Sequence, residues 1–382
     1  MKSVGFFLIS PFTKRDYNRF GIEILKKKFN VYVFDLSILY DNNFNDNLSK
    51  TYHFDNYFSI SSLDVSQFDK FNLDFAIDFL DISPLSYKIR SILKINKTSI
   101  SKVQNALIPE SELKNNIPFI KKIIKNIFKL SSWRNIIFSF QKLINPKIFF
   151  ESDEIFVGGS SGENLIASTF SKNIIPSHSF DYDIFLDIDK KKNVFIEKYI
   201  VFVDQNLAFH TDIKFLKLNQ VVTAEKYYQS LEMFFQKLEY LYGLKLIIAA
   251  HPRSNYELYP NIFKGRDVIK GNTPELIKCS SHVIMHASTS VSFAVLWNKP
   301  ISFVTTDEIS DSFYFINIKM NANLFCKKII NIDNYNIDEI KRSYNDKINH
   351  DLYSRYKKEF IFHPNSPNKF FWEIYSDYAL NK

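Results

Sequence analysis

The chain has 382 residues, of which 46% are hydrophobic and 24% are charged. A single hydrophobic core stops growing at roughly 250 residues, so we expect two domains. The balanced composition excludes a disordered, collagen-like or disulfide-scaffold protein. Cys279 and Cys326 stand far apart in the sequence, a spacing that indicates neither a zinc site nor a disulfide framework and suits a reducing cytoplasm.

The net charge of +8 is concentrated in one basic segment, residues 114–147, which contains no acidic residue. Its cations are Lys114, Lys121, Lys122, Lys125, Lys129, Arg134, Lys142 and Lys147. Apolar and aromatic residues stand between them, a pattern that predicts peripheral contact with an anionic membrane or a charged glycan. The alternative is an amphipathic helix pair packed on a sheet.

Two classes of protein are excluded by missing patterns. No stretch of about 18 apolar residues lacks a charge, so we expect no transmembrane helix. No helix-turn-helix, RNA-binding aromatic signature or zinc spacing accompanies the basic segment, so we do not expect a nucleic acid as partner.

Strands and helices alternate through the first half of the chain, a pattern that predicts a parallel sheet. We predict strands at 4–10, 31–36, 58–60, 75–79, 106–109, 154–157 and 174–177, with helices at 16–28 and 163–170. Residues 187–193 are charged and poor in apolar side chains, which is typical of a linker. The first predicted domain is therefore 1–189.

The second half repeats the alternation and predicts a second α/β domain at 194–340. Its strands are predicted at 199–203, 244–249, 282–285 and 300–304, and its helices at 223–242, 273–279 and 290–297. A helical segment at 341–382 follows, and we expect it to pack back on the first domain. The predicted fold class is α/β with two Rossmann-like domains facing across a cleft.

Parallel α/β sheets bind ligands where the carboxyl ends of their strands meet, so polar residues at strand ends are the candidate site. In the second domain these residues are Asp204, Gln205, His251, Pro252, Arg253, His286, Ser288, Thr289 and Ser290. Asp204 and Gln205 end the first strand of that domain, and we expect them beside a bound nucleotide. Asp204 either binds ribose or sugar there, or caps a turn.

The buried strand before His251 ends abruptly in His-Pro-Arg, because Pro252 cannot continue a strand ladder. His251 can donate a hydrogen bond to a phosphate oxygen, and the forked guanidinium of Arg253 also suits phosphate. The negative charge of a leaving group would be stabilised at this turn. The alternative is that His251 caps the turn and Arg253 is merely solvated.

The strand that ends at Met285 runs into residues 286–290, which contain a histidine and three hydroxyl groups, and then into a helix. Free N–H groups, the positive end of a helix and hydroxyls make an anion site without a metal or a lysine. Ordinary N-capping by Ser288 or Thr289 is the alternative. Two such turns at neighbouring strand ends indicate one shared phosphate ligand.

At His251-Pro252 and Ser288-Thr289-Ser290 the sequence resembles the bacterial sialyltransferases and polysialyltransferases and the related Kdo transferases. The resemblance covers mainly residues 199–304. It implies the GT-B fold and a CMP-linked sugar donor, whose phosphate His251 and the Ser/Thr hydroxyls hold. Such an enzyme transfers a sialic-acid-like or Kdo-like sugar, with inversion, to a glycan or lipid-linked acceptor.

The expected role is synthesis of capsule or lipopolysaccharide, in the cytoplasm at the inner face of the inner membrane. Two alternatives stay open: a GT-B transferase that uses a UDP- or GDP-hexose, and a non-catalytic glycan- or nucleotide-binding protein. A single donor phosphate needs no metal, so we predict no metal and no cofactor beyond the donor itself.

The transferases of this group often carry an acidic-acidic-Gly tripeptide that supplies the catalytic base, and this sequence contains none. Inverting transfer needs a carboxylate or histidine within hydrogen-bond reach of the acceptor hydroxyl. Asp181 and Asp183, which follow a predicted strand with His178, are the first candidates. Glu163, which follows the turn Gly158–Gly162, is another, and its alternative is an ordinary acid in the first turn of a helix.

Overall fold

The computed structural model describes residues 1–40, 51–62, 68, 70–104, 151–191, 197–209 and 220–382. The basic segment and the predicted strand at 106–109 lie outside these residues. The described residues up to 180 and those from 359 onward form unit 1, and those from 181 to 358 form unit 2. The first boundary therefore falls at 180 rather than after 189, and the predicted C-terminal segment is divided at 359.

Unit 1 contains a seven-stranded sheet whose strands all pair in parallel, in the order β3-β2-β1-β4-β5-β6-β7. The strands are β1 (Lys2–Leu8), β2 (Phe29–Asp35), β3 (Tyr57–Ser59), β4 (Phe75–Phe79), β5 (Ser99–Gln104), β6 (Ser152–Val157) and β7 (Ser171–Pro176). Successive side chains of a strand point to opposite faces, so Phe6 and Phe7 enter different core clusters. Both faces of the sheet are thus covered, as in most parallel sheets.

The helices described in unit 1 before its last β-strand are short, apart from one. They are α1 (Lys14–Arg19), α2 (Ile22–Leu25), α3 (Ser37–Tyr40), α4 (Pro84–Ile95) and α5 (Ile166–Thr169). The predicted helix at 16–28 is two helices, because Gly21 between them has the left-handed φ of +53° that ends an α-helix. The predicted helix at 163–170 is a 3₁₀ turn, Ser160–Asn164, followed by α5.

Unit 2 contains a six-stranded parallel sheet in the order β10-β9-β8-β11-β12-β13. Its strands are β8 (Tyr199–Val203), β9 (Lys245–Ala250), β10 (Val268–Lys270), β11 (His282–Met285), β12 (Ile301–Thr305) and β13 (Ile329–Asn331). The buried positions of β8 and β9 are all apolar, which is typical of strands covered on both faces. Two parallel α/β units confirm the predicted fold class.

Eight helices are described in unit 2 or at its start: α6 (Phe180–Asp189), α7 (Ala224–Tyr242), α8 (Thr273–Cys279), α9 (Val291–Leu296), α10 (Asp307–Ser310), α11 (Phe315–Leu324), α12 (Ile337–Asn345) and α13 (His350–Tyr356). The predicted linker at 187–193 is wrong in its first part, because α6 continues to Asp189. Lys278 donates to the carbonyl oxygen of Ile188 at 2.9 Å, so this end of α6 is held on unit 2.

The chain returns to unit 1 through a π-helical turn, Lys357–Ile361, and ends in α14 (Phe371–Asn381). Trp372 and Tyr375 are buried in the core cluster that also contains Phe6. The indole N–H of Trp372 donates to the carbonyl oxygen of Arg19 at 2.8 Å. The last residues of the chain therefore complete the first core. No helix of the described residues combines the length and the apolar character that crossing a membrane requires.

Candidate functional site

In the sheet of unit 2, β8 lies between β9 and β11. From β8 the chain adds β9 and β10 on one side, and it then returns to add β11, β12 and β13 on the other side of β8. At such a reversal a parallel sheet opens a crevice for ligands beyond the strand ends. The predicted polar residues follow these three strands. We call them the strand-end cluster: Asp204, Gln205, His251, Pro252, Arg253, His286, Ser288, Thr289 and Ser290.

Asp204 is a buried carboxyl group that ties together the ends of β8 and β9. Its Oδ2 accepts from the hydroxyl of Tyr256 at 2.7 Å and lies 3.5 Å from the backbone N of His251, while Oδ1 accepts from the N–H of Asn206 at 3.0 Å. Burial raises the pKa of Asp204, and these hydrogen bonds oppose the rise. Asp204 thus caps the turn after β8 and holds the turn that carries His251.

His251 begins a turn that is closed by its own hydrogen bonds. Its Nδ1 accepts from the N–H of Arg253 at 3.2 Å, and its carbonyl oxygen accepts from the N–H and the hydroxyl of Ser254 at 2.9 and 2.8 Å. Because Nδ1 is an acceptor, Nε2 carries the ring proton. Pro252 and Arg253 are exposed and His251 is half-buried, so the strand end carries an imidazole and a guanidinium, two groups of a kind suited to an anion.

His286 lies wholly inside unit 2. Its Nδ1 donates to the carbonyl oxygen of Val304 at 2.7 Å, and its Nε2 accepts from the hydroxyl of Tyr227 at 2.8 Å. A carbonyl oxygen only accepts, which fixes the tautomer. Burial lowers the pKa of His286 to about 4. The ring joins β11 to α7 and β12, so its nitrogens point into the protein instead of toward a nucleotide.

The hydroxyl cluster after β11 forms a turn, with Ser288 Oγ accepting from the N–H of Ser290 at 3.2 Å. Thr289 is exposed, and Ser288 and Ser290 are half-buried. The helix that follows, α9, has only six residues, so its dipole adds less to an anion site than the sequence pattern predicts. These three hydroxyl residues thus lie at least partly at the protein surface, just beyond the carboxyl end of β11.

Gln205 links the ends of β8 and β11, since its Oε1 accepts from the N–H of Ala287 at 3.3 Å. The hydroxyl of Tyr314 donates to the carbonyl oxygen of Ala287 at 2.8 Å and fixes the same turn. Among the described residues, two buried atoms beside it, Gln205 Nε2 and Asn206 Oδ1, have no hydrogen-bond partner. An unsatisfied buried polar atom costs about 1–3 kcal/mol, so a water or another group that bonds either atom would stabilise this turn.

The three predicted carboxylates are divided between the two units. Asp181 and Asp183 stand in the first turn of α6 and belong to unit 2. Glu163 stands in the 3₁₀ turn of unit 1, where its Oε1 accepts from His363 Nε2 at 2.9 Å. Within the described ranges, no group of three or more His, Cys, Asp or Glu side chains is arranged to hold a metal ion.

Sequence reasoning missed Tyr256, Tyr227 and His363, which bond predicted residues, and Tyr314, which bonds the backbone of Ala287 beside them. Each lies far along the chain from the residue it contacts, and none stands in a recognisable motif or at a strand end. Only Tyr256, five positions after His251 in the sequence, follows a predicted motif closely. No signal in the sequence distinguished it from the other tyrosines of this aromatic-rich chain.

The sequence matches no protein-family model and no curated protein. The structure is similar to UDP-GlcNAc 2-epimerase from Methanocaldococcus jannaschii, with a TM-score of 0.53, 12% identity and 100% of both chains covered. It is also similar to the H444N variant of the wall teichoic acid polymerase TagF, with a TM-score of 0.52, 11% identity and coverage of 100% of this chain and 88% of that one. The glycotransferase of kitacinnamycin gives a TM-score of 0.51 at 9% identity, with 94% of this chain and 95% of that chain covered. Identities this low show the fold alone, and that fold is GT-B.

Proposed function

We propose that the protein is an inverting glycosyltransferase that binds the nucleotide of a CMP-linked sugar at the strand-end cluster. The observation that carries the proposal is the fixed turn at His251. Buried Asp204 holds the end of β8 against this turn, and the N–H of Arg253 fixes the tautomer of the ring. A phosphate bound there would meet an imidazole N–H and a guanidinium, which stabilise the charge of a leaving nucleotide.

Two further observations support a nucleotide ligand. Gln205 and Asn206 follow β8, the neighbour of β9 in the sheet, and their amide groups are of the kind that pairs with a ribose or a base edge. The fold is shared with a UDP-GlcNAc epimerase and a glycotransferase, whose names indicate sugar nucleotides and sugar transfer. The choice of CMP rests on the resemblance carried by His251-Pro252 and Ser288-Thr289-Ser290.

The finer parts of the proposal follow that resemblance. The donor sugar is sialic-acid-like or Kdo-like, the acceptor is a glycan or a lipid-linked glycan, and the product belongs to a bacterial surface polysaccharide. The reaction needs no metal, because the proposed donor has a single phosphate. The enzyme works in the cytoplasm, and residues 114–147 bring it to the inner membrane.

The test measures the affinity of the protein for CMP, UDP and GDP by calorimetry, and the release of CMP from CMP-sialic acid. We expect binding of CMP, and a loss of about 10- to 100-fold in affinity and turnover in His251→Ala, since a hydrogen bond to a charged group is worth about 1.5–3 kcal/mol. His350→Ala is the matched control, because His350 is exposed at the start of α13 and should leave both quantities unchanged.

Each alternative has its own result. Binding of UDP or GDP without CMP would keep glycosyl transfer and overturn the donor. Equal affinity of the wild type and His251→Ala would overturn the strand-end site. Nucleotide binding without turnover of any sugar nucleotide would favour the non-catalytic alternative.

A further inference from the structure

Three aromatic rings lie beyond β8 and β9, and the strand-end cluster does not include them. Phe209 follows β8 in the chain, Tyr259 follows β9, and these two strands are paired neighbours in the sheet. The rings of Phe209 and Tyr259 are parallel to within 1°, with their centroids 4.7 Å apart. Tyr228 of α7 also stacks on Phe209, with the centroids 6.0 Å apart. We call these three residues the aromatic stack, and it joins the loops that follow two neighbouring strands.

The turn that carries Tyr259 is bonded to the strand-end cluster. Tyr259 follows the 3₁₀ turn Tyr256–Leu258 directly, and its N–H donates to the carbonyl oxygen of Tyr256 at 2.9 Å. The hydroxyl of Tyr256 donates to Asp204 Oδ2 at 2.7 Å, and the same oxygen lies 3.5 Å from the backbone N of His251. One buried carboxyl group thus holds both the turn of His251 and the turn that leads to Tyr259.

The other two rings are bonded to the same place. The N–H of Phe209 donates to the carbonyl oxygen of Asn206 at 3.0 Å, and the N–H of Asn206 donates to Asp204 Oδ1 at 3.0 Å. The hydroxyls of Tyr228 and Tyr256 share a hydrogen bond of 3.2 Å. Each member of the aromatic stack is therefore linked to the carboxyl group of Asp204 through a single intervening residue, and all of these residues belong to unit 2.

Exposure increases along the aromatic stack from Tyr228 to Tyr259. Tyr228 is buried, Phe209 is half-buried and Tyr259 is 44% exposed. Phe209 covers one face of the Tyr259 ring, so the exposed surface lies on the rest of the residue, which includes the opposite face. A side chain that is already held in place loses little conformational freedom when a ligand packs on it. Tyr259 therefore provides an ordered, flat apolar surface beyond the carboxyl end of β9.

We propose that Tyr259 is the residue on which the base of the bound nucleotide stacks. This inference rests on the proposed function and adds to it the residue that contacts the base. The turn at His251 suits the phosphate of a nucleotide, and the ring of Tyr259 suits its base, since bases stack on aromatic side chains. Every base has a π face, so this contact strengthens the binding of any nucleotide, and the choice among CMP, UDP and GDP depends on other residues.

The alternative is that Tyr259 only shields Phe209 from water. Loss of the Tyr259 side chain would then loosen the turn that carries Tyr256, and with it Asp204 and the phosphate turn. A ligand that has the phosphate and the ribose but no base separates the two roles. Stacking affects only the ligand that has a base, whereas a loosened phosphate turn weakens both ligands.

The test uses the full-length protein and measures by calorimetry its Kd for CMP and for ribose 5-phosphate, which lacks the base. We expect Tyr259→Ala to weaken the binding of CMP about tenfold, as loss of a base–aromatic contact does, and to leave the Kd of ribose 5-phosphate unchanged. Tyr259→Phe should bind CMP within about twofold of the wild type, since phenylalanine keeps the π face. If the wild type binds UDP or GDP instead of CMP, that nucleotide takes its place in every measurement.

Leu258→Ala is the matched control, because Leu258 precedes Tyr259 in the chain and is 72% exposed but has no ring. It should bind CMP as the wild type does. A second measurement uses Tyr259→Trp and Leu258→Trp. Addition of CMP should quench the fluorescence of the tryptophan at 259, as a base stacked on an indole does, and not that of the tryptophan at 258. This measurement decides if ribose 5-phosphate binds too weakly for calorimetry.

Two results overturn the inference and keep the proposed function. One is wild-type affinity for CMP in Tyr259→Ala, and the other is an equal loss of affinity for CMP and ribose 5-phosphate. An unquenched tryptophan at 259 in a variant that binds CMP also overturns it. A wild-type protein that binds none of CMP, UDP and GDP overturns the proposed function itself, and this inference with it.

Discussion

Asp204 and His286 are polar residues that unit 2 buries to hold its strand ends in place. Each is bound by a tyrosine hydroxyl, Asp204 by Tyr256 and His286 by Tyr227, because a buried polar group without a partner is costly. His251, at the next strand end, is half-buried and carries its ring proton on Nε2. The buried pair therefore holds the strand ends in place, and His251 is the residue of the three that we propose to contact a ligand.

The buried state of His286 predicts a loss of stability in acid. Its folded pKa of about 4 lies below the ordinary value of 6.5, so between these values the unfolded chain binds a proton that the native chain does not. The stability is fully present above pH 6.5 and is lost as the pH falls toward 4, by about 3 kcal/mol. Urea denaturation at pH 7, 5.5 and 4 measures it.

His286→Gln has no titratable group at this position, so its free energy of unfolding should fall less steeply over the same range. The comparison uses the slopes of the two curves, since the substitution also changes stability at pH 7. Parallel curves for the wild type and the variant would contradict a neutral buried His286.

At the scale of elements, the sequence predicts the bounds of those strands and helices that depend on residues close together in the chain. Apolar runs flanked by polar residues predict β8 and β11 at the bounds that they have in the structure. Because ligands bind beyond the carboxyl ends of parallel strands, the residue that follows β9, His251, then becomes a candidate. The break between α1 and α2 was missed, because Gly21 is packed against Trp372 from the far end of the chain. The hydrogen bond from His363 to Glu163 was missed for the same reason, since partners distant in sequence leave no periodic pattern.

The turn after β6 gives a prediction about an element contact. Gly159 has an extended backbone with φ of 177°, so alanine would cause no backbone strain, but its Cβ would overlap the carbonyl group of Glu359. We expect Gly159→Ala to destabilise unit 1 by about 3 kcal/mol, the upper end of the usual cost of overpacking, since a contact with backbone cannot relax through a side chain. Thermal and urea unfolding measure the loss.

Gly243→Ala is the control, because alanine there would strain the backbone without overlapping any neighbouring atom. Gly243 has a left-handed φ of +60° and open space around it, so alanine should cost only about 1 kcal/mol, from backbone strain. A loss at Gly159 no larger than that at Gly243 would show that the contact with Glu359 is not tight.

For the whole molecule, the chain leaves unit 1 at residue 180, builds unit 2, and returns at 359 to finish the first core. Trp372 and Tyr375 of α14 pack in that core with residues from the first strand, such as Phe6. Unit 2 has its own buried residues, with Phe202 at the centre of its sheet. The fold of unit 1 therefore depends on the last residues of the chain, whereas the described residues of unit 2 all lie between 181 and 358.

This division predicts two separable unfolding transitions. Trp372→Ala should destabilise unit 1 by about 3–5 kcal/mol, and Phe202→Ala should destabilise unit 2 by a similar amount, because each removes a wholly buried aromatic ring. Calorimetry should show one transition shifting in each variant while the other stays, and limited proteolysis with mass spectrometry should identify the unit that opens. If both transitions fell together in either variant, the two cores would have to unfold as one cooperative body, which the separate packing of Trp372 and Phe202 argues against.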